Sequence, residues 1–362
     1  MSSPSSHPIT ARAFGRVGLL GNPSDGYGGK TISLIVPNFA AEVTLRPSEK
    51  LEIAVADEPL AEARSLEDVR RLVRAHGYYG GERLVLAAIK RFLDYCDTAG
   101  LKRGQTLSGE APPKGLTPFQ TEKLDLTPFS VRFEVRSSIP RLVGLAGSSA
   151  IVTATVRALA KYHSVEIPPH LLASLVLSAE KDELGIPAGL QDRVVQAYEG
   201  LVAMDFSPAV MQTECGLSYG RYEQLPSSHL PPIYLAYSLA GSEPTEVTHN
   251  NLRQRYDRGE PEVLAAMQEW ASLAESGKAA IAARDWERLD QLMNRNFDLR
   301  RAVCPLNPRH VAMVEAARSA GCSAKFSGSG GAIVGTYRTP DDLAALRSAL
   351  EPLACVVVDV ER

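Results

Sequence analysis

The chain lacks the marks of a secreted, membrane-spanning or zinc-stabilised protein. Its five cysteines include no Cys-x-x-Cys pair, which argues against a disulfide framework or a structural zinc site. No apolar run reaches the about 20 residues that a membrane span needs. Residues 1–8 are polar and rich in serine and proline, unlike the apolar core of a signal peptide. We therefore expect a soluble cytoplasmic protein in which residues 1–12 form a flexible tail.

An excess of basic charge is also missing. The 39 lysines and arginines are balanced by 42 aspartates and glutamates, and the formal net charge is -3 at pH 7. Because nucleic acids and anionic membranes attract basic surfaces, we expect neither as a partner. The 7 histidines show no metal-ligand spacing. Small-molecule substrates are the expected partners, for a protein that is a monomer or a homodimer.

The length and the order of the elements predict an α+β protein of two domains. The 362 residues are enough for two cores. We place the boundary near Pro231-Pro232, which divides the chain into domains of residues 13–230 and 231–362. The pattern of the second domain suits an antiparallel sheet with helices on one face.

Hydrophobic periodicity predicts the individual elements. Residues 16–21 form a strand, and residues 31–36 and 40–45 form paired strands joined by a turn at Pro37-Asn38. Residues 102–128, rich in Gly, Pro, Thr and Lys, form a surface excursion. Further strands are expected at residues 131–135, 233–239, 332–337 and 354–360, and helices at residues 65–75, 82–99, 151–162, 171–180, 191–198, 263–276, 286–301, 309–320 and 341–350.

A glycine- and serine-rich turn precedes the helix at residues 151–162, with the sequence Pro140-Arg-Leu-Val-Gly-Leu-Ala-Gly-Ser-Ser-Ala150. Glycine lets the backbone approach a ligand closely, and successive N–H groups at a helix N-terminus form an anion site. The common P-loop is absent, because Gly28-Gly29-Lys30-Thr31 is preceded by Ser24 where that motif needs its first glycine. The turn therefore predicts a phosphate site of another kind.

Glycine-rich segments occur at residues 21–29, 144–149 and 327–331, each beside a strand or opening a helix. Any one of them is as compatible with ordinary turn chemistry as with a ligand site. The three together favour a shared ligand cleft.

These segments resemble the three signatures of the GHMP kinases, the superfamily of galactokinase, homoserine kinase, mevalonate kinase and phosphomevalonate kinase. The matching residues are Arg16-Val-Gly-Leu-Leu-Gly with Asp25 and Gly28-Gly29, then Pro140 with Gly144-Leu-Ala-Gly-Ser-Ser-Ala150, then Lys325-Phe-Ser-Gly-Ser-Gly-Gly331. Within the superfamily the chain is most similar to the glucuronokinases, on segments that include Gly77-Tyr-Tyr-Gly-Gly81, Gly189-Leu-Gln-Asp-Arg-Val194 and Met293-Asn-Arg-Asn-Phe-Asp-Leu-Arg-Arg301.

The resemblance implies a two-domain fold, with an N-terminal α/β domain built on a left-handed-crossover-type sheet and a ferredoxin-like C-terminal domain. It implies a sugar kinase that uses ATP and Mg²⁺ to phosphorylate the anomeric hydroxyl of D-glucuronate, giving D-glucuronate 1-phosphate. The implied ATP-binding residues are Pro140, Gly144, Leu145, Ala146, Gly147, Ser148 and Ser149.

The resemblance also implies the catalytic residues. Asp192 matches the catalytic base, because Gly189-Leu-Gln-Asp192 corresponds to the Gly-x-x-Asp element of the family. A carboxylate there can orient the acceptor hydroxyl and take its proton. Arg16 matches a basic residue beside the transferring phosphoryl group, and Ser149 with Glu180 matches the Mg²⁺ ligands. Without the resemblance, the better explanation of Asp192 is an acid favoured by a helix N-terminus. Likewise, Arg16 is a surface arginine and Glu180 part of a solvated charge run.

The implied acceptor site draws on the first and third segments. Asp25 matches the sugar-binding acid of the family, and Asn22 stands where galactokinase-like members carry glutamate. The neutral amide removes a negative charge, which suits an anionic sugar. Arg193 and Arg300 are the candidates for the acceptor carboxylate. The other implied acceptor residues are Gly28, Gly29, Ser327, Gly328, Ser329 and Gly330.

Two alternative functions stay open. A GHMP kinase for galactose, another hexose, an inositol or a mevalonate-like acid would carry the same three segments. A non-catalytic sugar sensor of this fold would bind sugar and nucleotide without turnover. The presence of Asp192, Glu180, Ser149 and Arg16 disfavours the sensor.

Overall fold

A computed structural model describes residues 8–55, 61–63, 82–100, 131–141, 143–239 and 246–361. The helix predicted at residues 65–75, the glycine-rich segment at 77–81 and the excursion at 102–128 lie outside the described residues. Over the described ranges, no helix is long and apolar enough to cross a membrane.

Two long strands form the centre of the first domain. β1 (Ile9–Leu20) runs antiparallel to β2 (Lys30–Pro47) along almost its whole length. The prediction of two short strands joined by a turn at Pro37-Asn38 is wrong, because β2 is one continuous strand. Residues 37–39 form a bulge in β2 instead, since β1 is long enough to pair with β2 on both sides of them. β1 also includes residues 9–12 of the predicted tail.

The sheet around these strands is mixed. The further strands of this domain are β3 (Leu51–Val55), β4 (Ala61–Ala63), β5 (Val131–Ser137), β6 (Leu201–Asp205), β7 (Gln212–Glu214), β8 (Leu217–Tyr219) and β9 (Arg221–Leu225). The order in the sheet is β4-β3-β5-β2-β6-β9, with β1 paired to β2, and only the β3–β5 pair is parallel among the described strands. A separate two-stranded ladder joins β7 to β8.

The helices of the first domain include those that carry the predicted site. α1 (Arg83–Thr98) packs against α2 (Gly147–His163), which begins in the predicted phosphate turn and lies on β1 and β2. α3 (Pro169–Ser178) continues into a π-helical turn at Ala179–Glu183, a distortion frequent at functional sites. α4 (Leu190–Tyr198) packs beside α3.

The second domain has the strand order predicted for a ferredoxin-like fold. The described strands are β10 (Ile233–Ser238), β11 (Lys325–Phe326), β12 (Ala332–Thr336) and β13 (Cys355–Asp359). They form an antiparallel sheet in the order β11-β12-β10-β13, and helices connect β10 to β11 and β12 to β13. The described helices are α5 (Glu246–Asp257), α6 (Pro261–Ala283), α7 (Trp286–Val303), α8 (Pro308–Ser319) and α9 (Pro340–Leu350).

Local chemistry explains where these helices begin. α6, α8 and α9 each start on a proline, whose fixed φ suits the first helical position and whose missing N–H is not needed there. The side chains of Asp285, Asn307 and Thr339 accept hydrogen bonds from the first-turn N–H groups of α7, α8 and α9.

α6 and α7 connect the core to the first glycine-rich segment. The indole Nε1 of buried Trp270 donates to the carbonyl oxygen of Asn296 at 3.0 Å. The Asn296 side chain in turn accepts from the N–H of Gly21 at 2.7 Å and donates to the carbonyl oxygen of Asn22 at 3.0 Å. Packing of α6 therefore helps to position the turn after β1.

Replacement of Trp270 by alanine is expected to lower the free energy of unfolding by about 3–5 kcal/mol, because it leaves a large cavity. Trp286 provides the matched control, since its side chain is 37% exposed. Urea unfolding followed by far-ultraviolet circular dichroism measures both variants. Equal losses for Trp270→Ala and Trp286→Ala would contradict the assignment of Trp270 to the core.

Candidate active site

Arg16 on β1 joins the predicted phosphate turn to the predicted base. Its Nε donates to Asp192 Oδ1 at 2.6 Å, and its Nη1 donates to the carbonyl oxygen of Gly144 at 2.6 Å. The same Nη1 lies 3.4 Å from the carbonyl oxygen of Ser327 in the third glycine-rich segment. The buried guanidinium is thus the meeting point of α4, the phosphate turn and the second domain.

The phosphate turn directs its carbonyl groups into the protein. The carbonyl oxygen of Leu145 accepts from the N–H of Arg16 at 3.2 Å, and that of Ala146 accepts from Gln196 Nε2 at 3.0 Å. Gly144 and Ala146 have φ angles of 73° and 60°, in the left-handed region that favours glycine. Because C=O and N–H point opposite ways across a peptide plane, the N–H groups that follow these carbonyls point away from the protein donors. The turn therefore has the polarity of an anion site.

The two serines at the start of α2 have different partners. Ser148 is exposed, and its hydroxyl donates to Glu180 Oε1 at 2.8 Å. Ser149 is buried, and its hydroxyl donates back to the carbonyl oxygen of Ala146 at 3.1 Å. Glu180 thus contacts Ser148 and not Ser149, because consecutive helical residues point about 100° apart. The assignment of Ser149 and Glu180 to Mg²⁺ stays a prediction.

Glu180 is held by a buried ion pair. Its Oε2 accepts from Arg193 Nε at 2.7 Å and also from Arg193 Nη2. The remaining nitrogen, Nη1, donates to the carbonyl oxygen of Gly189 at 3.0 Å and lies 3.4 Å from Asp192 Oδ2. Arg193, predicted to bind an acceptor carboxylate, is therefore paired with acids of the protein itself. Asp192 is 20% exposed and stays reachable from solvent.

Asp25 lies beside α4, in the short helical turn Ser24–Tyr27 that follows β1. A Cβ added at Gly189 would lie only 2.5 Å from Asp25 Oδ2, so the glycine leaves the space that this carboxyl occupies. Burial, reinforced by the negative charge of Asp192, raises the pKa of Asp25 to about 7. Near neutral pH both forms of the Asp25 carboxyl are therefore populated: the ionised form accepts hydrogen bonds, and the protonated form can also donate one.

Lys325 is a site residue whose partners the sequence analysis missed. Its buried ammonium Nζ donates to Asn22 Oδ1 at 2.7 Å, to the carbonyl oxygen of Gly18 at 2.6 Å and to that of Phe326 at 2.7 Å. Burial, with the cations of Arg300 and Arg16 nearby, holds the pKa of Lys325 well below its usual value. The predicted acceptor residue Asn22 is therefore bound to the second domain. The signal in the sequence was that Lys325 is the first residue of the third signature, two residues before the glycine-rich segment.

The third glycine-rich segment packs against the phosphate turn. A Cβ added at Gly328 would lie 2.6 Å from the carbonyl oxygen of Gly144, which shows how closely the two backbones approach. Arg300 Nη1 donates to the carbonyl oxygen of Gly328 at 2.7 Å, so this predicted carboxylate-binding arginine holds the segment in place. Ser327, Gly328 and Gly330 are buried, whereas Ser329 is partly exposed.

The remaining predicted residues divide between the inside and the rim of the cleft. Gly29 is buried. Its N–H donates to the carbonyl oxygen of Ser24, and its carbonyl oxygen accepts from the N–H of Phe206, so both backbone groups are used in hydrogen bonds within the protein. Gly28 has a φ of 74° and is partly exposed, as is Pro140.

The fold and these three segments define a class of phosphotransferase, and the chain belongs to the GHMP kinases. Residues 118–200 match the GHMP kinases N terminal domain, and residues 278–355 match the GHMP kinases C terminal domain. The protein is accordingly a kinase that transfers phosphate to a hydroxyl acceptor.

Within that class the chain is 41% identical over 333 residues to Glucuronokinase 1 of Arabidopsis thaliana, across 90% of this chain and 84% of that protein. Similar solved structures include the Methanococcus jannaschii mevalonate kinase, with a TM-score of 0.73 and 16% identity over 99% of this chain and 100% of that one. The Lactococcus lactis galactokinase complexed with galactose has a TM-score of 0.74 and 15% identity over 99% and 94% of the two chains. These likenesses confirm the predicted family and two-domain fold.

Asp25 is expected to make stability fall with rising pH. Its pKa is about 7 in the folded protein against an ordinary value of 3.8. Between these values the unfolded chain has lost a proton that the folded chain keeps, so the free energy of unfolding decreases as the pH rises. Asp25→Asn removes this titration, and its stability relative to the wild type should increase between about pH 5 and about pH 8.

Urea unfolding at both pH values measures this difference. Asp341→Asn is the matched control, because Asp341 is an exposed acid in the first turn of α9, in the second domain. Parallel pH profiles for the wild type and Asp25→Asn would show that Asp25 does not carry the shifted proton.

Proposed function

We propose that the protein is an ATP- and Mg²⁺-dependent sugar kinase that phosphorylates the anomeric hydroxyl of D-glucuronate to D-glucuronate 1-phosphate. The observation that carries the proposal is the bridge made by Arg16, whose guanidinium holds Asp192 and the phosphate turn at Gly144 together. The carboxylate that would take the proton of the acceptor hydroxyl thus lies beside the turn that would bind the phosphates of ATP. The 41% identity to a glucuronokinase supports the choice of acceptor.

The residues present fit a Mg²⁺ ion bound together with nucleotide phosphates. Over the described ranges, no group of three or more histidine, cysteine, aspartate or glutamate side chains could hold a metal by itself. Glu180 and the hydroxyl of Ser148 offer hard oxygen atoms beside the N-terminus of α2. Mg²⁺ commonly uses one or two protein carboxylates, substrate phosphates and water, and it supplies charge neutralisation at the transferring phosphoryl group.

Asp192 is positioned to act as the base. Its Oδ1 accepts from Arg16, its Oδ2 lies 3.4 Å from Arg193 Nη1, and the side chain as a whole is 20% exposed. These ion pairs fix the direction of the carboxylate, so that an acceptor hydroxyl placed against it is oriented for attack on the γ-phosphorus and loses its proton to it. In this proposal the cation of Arg16, which contacts both Asp192 and the phosphate turn, stabilises the negative charge that develops on the transferring group.

The charges around the acceptor segment favour an anion over a neutral sugar. Lys325 binds oxygen atoms of Asn22, Gly18 and Phe326, and none of these three is a carboxylate. Arg300 likewise binds the carbonyl oxygen of Gly328. Its carbonyl partner does not cancel the charge of Arg300, and its buried Nε has no hydrogen-bond partner among the described residues, so positive charge at this wall of the cleft favours an anionic acceptor.

Asp192→Asn is expected to lower kcat by about 100-fold or more while the KM for ATP changes little, because the variant loses the general base. ADP release with D-glucuronate as acceptor measures this, and galactose in place of glucuronate tests the acceptor. Asp341→Asn is the matched control. Asp341 lies in the first turn of α9, as Asp192 lies in the first turn of α4, but Asp341 is exposed on the second domain.

An unchanged rate for Asp192→Asn would remove Asp192 from the mechanism. A wild-type preference for galactose would replace glucuronate by a neutral hexose as the acceptor. Absence of turnover with every acceptor would favour a sugar sensor of the same fold.

Ser148→Ala is expected to raise the Mg²⁺ concentration needed for half-maximal activity on the order of 10-fold, because Ser148 both contacts Glu180 and faces solvent. Ser149→Ala is the matched comparison and should lower the melting temperature instead, since it removes a hydrogen bond within the turn. Titration of Mg²⁺ in the ADP-release assay separates the two. A Mg²⁺ effect confined to Ser149→Ala would restore the assignment made from the sequence.

A further inference from the structure

The arginines predicted to bind an acceptor carboxylate have no accessible guanidinium. Arg193 and Arg300 are 5% and 4% exposed, respectively. The first is paired with Glu180, and the second holds the backbone of the third glycine-rich segment. Both are therefore committed to the architecture of the site, and a carboxylate entering from solvent needs another cation.

Arg253 on α5 is an accessible cation on the first glycine-rich segment. Its side chain is 47% exposed. Nη2 donates to the carbonyl oxygen of Gly26, and the guanidinium carbon lies 4.1 Å from the centre of the Tyr27 ring. Tyr256, also on α5, packs its ring on Tyr27 with 4.6 Å between centroids. The hydrogen bond and the ring contacts hold the guanidinium in a defined place, although it is exposed to solvent.

This place is at the edge of the proposed acceptor site. Gly26 and Tyr27 directly follow Asp25, whose carboxyl lies against Gly189 at the start of α4. Among the described residues, the ion pair of Arg253 is with Asp257, and Nη1 is 4.0 Å from its Oδ1. An exposed pair at this distance contributes little and is easily exchanged for a ligand. The guanidinium edge that carries Nη1 is thus available to a carboxylate.

We infer that Arg253 binds the carboxylate of an acidic sugar acceptor and thereby sets the preference for a uronate over the neutral sugar. The inference rests on the proposed function and names the specificity residue of the same site. A planar guanidinium forms two parallel hydrogen bonds with a carboxylate, a geometry that a hydroxymethyl group does not match. Because Tyr27 and Gly26 already hold the group in place, little conformational entropy is lost when the acceptor binds.

Arg253→Gln tests the inference with two acceptors that differ only at the carboxylate, D-glucuronate and D-glucose. The variant is expected to raise the KM for glucuronate on the order of 10-fold or more, because it loses a charge-assisted hydrogen bond. The kcat should change less, since the carboxylate is remote from the reacting hydroxyl. The ratio of kcat/KM for glucuronate to that for glucose falls accordingly. Arg253→Lys keeps the charge but loses the planar pair of donors, so its ratio should lie between that of the wild type and that of Arg253→Gln.

Arg258→Gln is the matched control, because Arg258 is an exposed arginine just beyond the end of α5. Melting temperatures of all variants report folding separately from specificity. An unchanged acceptor ratio in Arg253→Gln, with glucuronate still the preferred acceptor of the wild type, would overturn the inference and leave the proposed function standing. A wild type that does not phosphorylate glucuronate would overturn both.

Discussion

The buried guanidinium of Arg16 is the constraint on which the site depends. A cation removed from water needs hydrogen-bonded and charged partners, and Arg16 donates from Nε to Asp192 on α4 and from Nη1 to Gly144 in the phosphate turn. Its backbone N–H is bound to Leu145 of the same turn. Three elements distant in sequence must therefore meet at one residue of β1. Stability and catalytic geometry are coupled there, because loss of any partner leaves a buried charge or carbonyl unpaired.

Burial also separates the roles of the acids in the cleft. Glu180 is fully buried and shared between Arg193 and Ser148, so one oxygen is committed to the fold while the other reaches the N-terminus of α2. Asp192 is held at both oxygens but stays partly exposed, which leaves it accessible to an incoming hydroxyl. Desolvation and a neighbouring charge raise the pKa of Asp25, so this acid can donate as well as accept near neutrality. Environment, rather than residue type, thus distinguishes the three carboxyl groups.

The fold class and the phosphate turn could be predicted because they depend on local chemistry. Gly144 adopts the positive φ that glycine permits, and α2 starts at the predicted place. The turn at Pro37-Asn38 could not be predicted correctly, since only the length of the partner strand shows that β2 continues past it. The choice between Ser148 and Ser149 depends on the direction of each side chain relative to a helix about thirty residues later in the chain. The contacts of Lys325 could not be predicted, because two of its three acceptors belong to a segment more than three hundred residues earlier in the chain.

The charge balance of the cleft links these observations to the acceptor. Arg300 binds a backbone carbonyl oxygen and keeps its charge, since an arginine does not give up its proton in a protein. Burial lowers the pKa of Lys325, which reduces the positive charge beside Asn22. Under the proposed function, a carboxylate on the acceptor would offset the charge of Arg300 in a way that a neutral sugar would not. Its charge would in turn favour the protonated form of Asp25, which then donates a hydrogen bond instead of repelling the substrate.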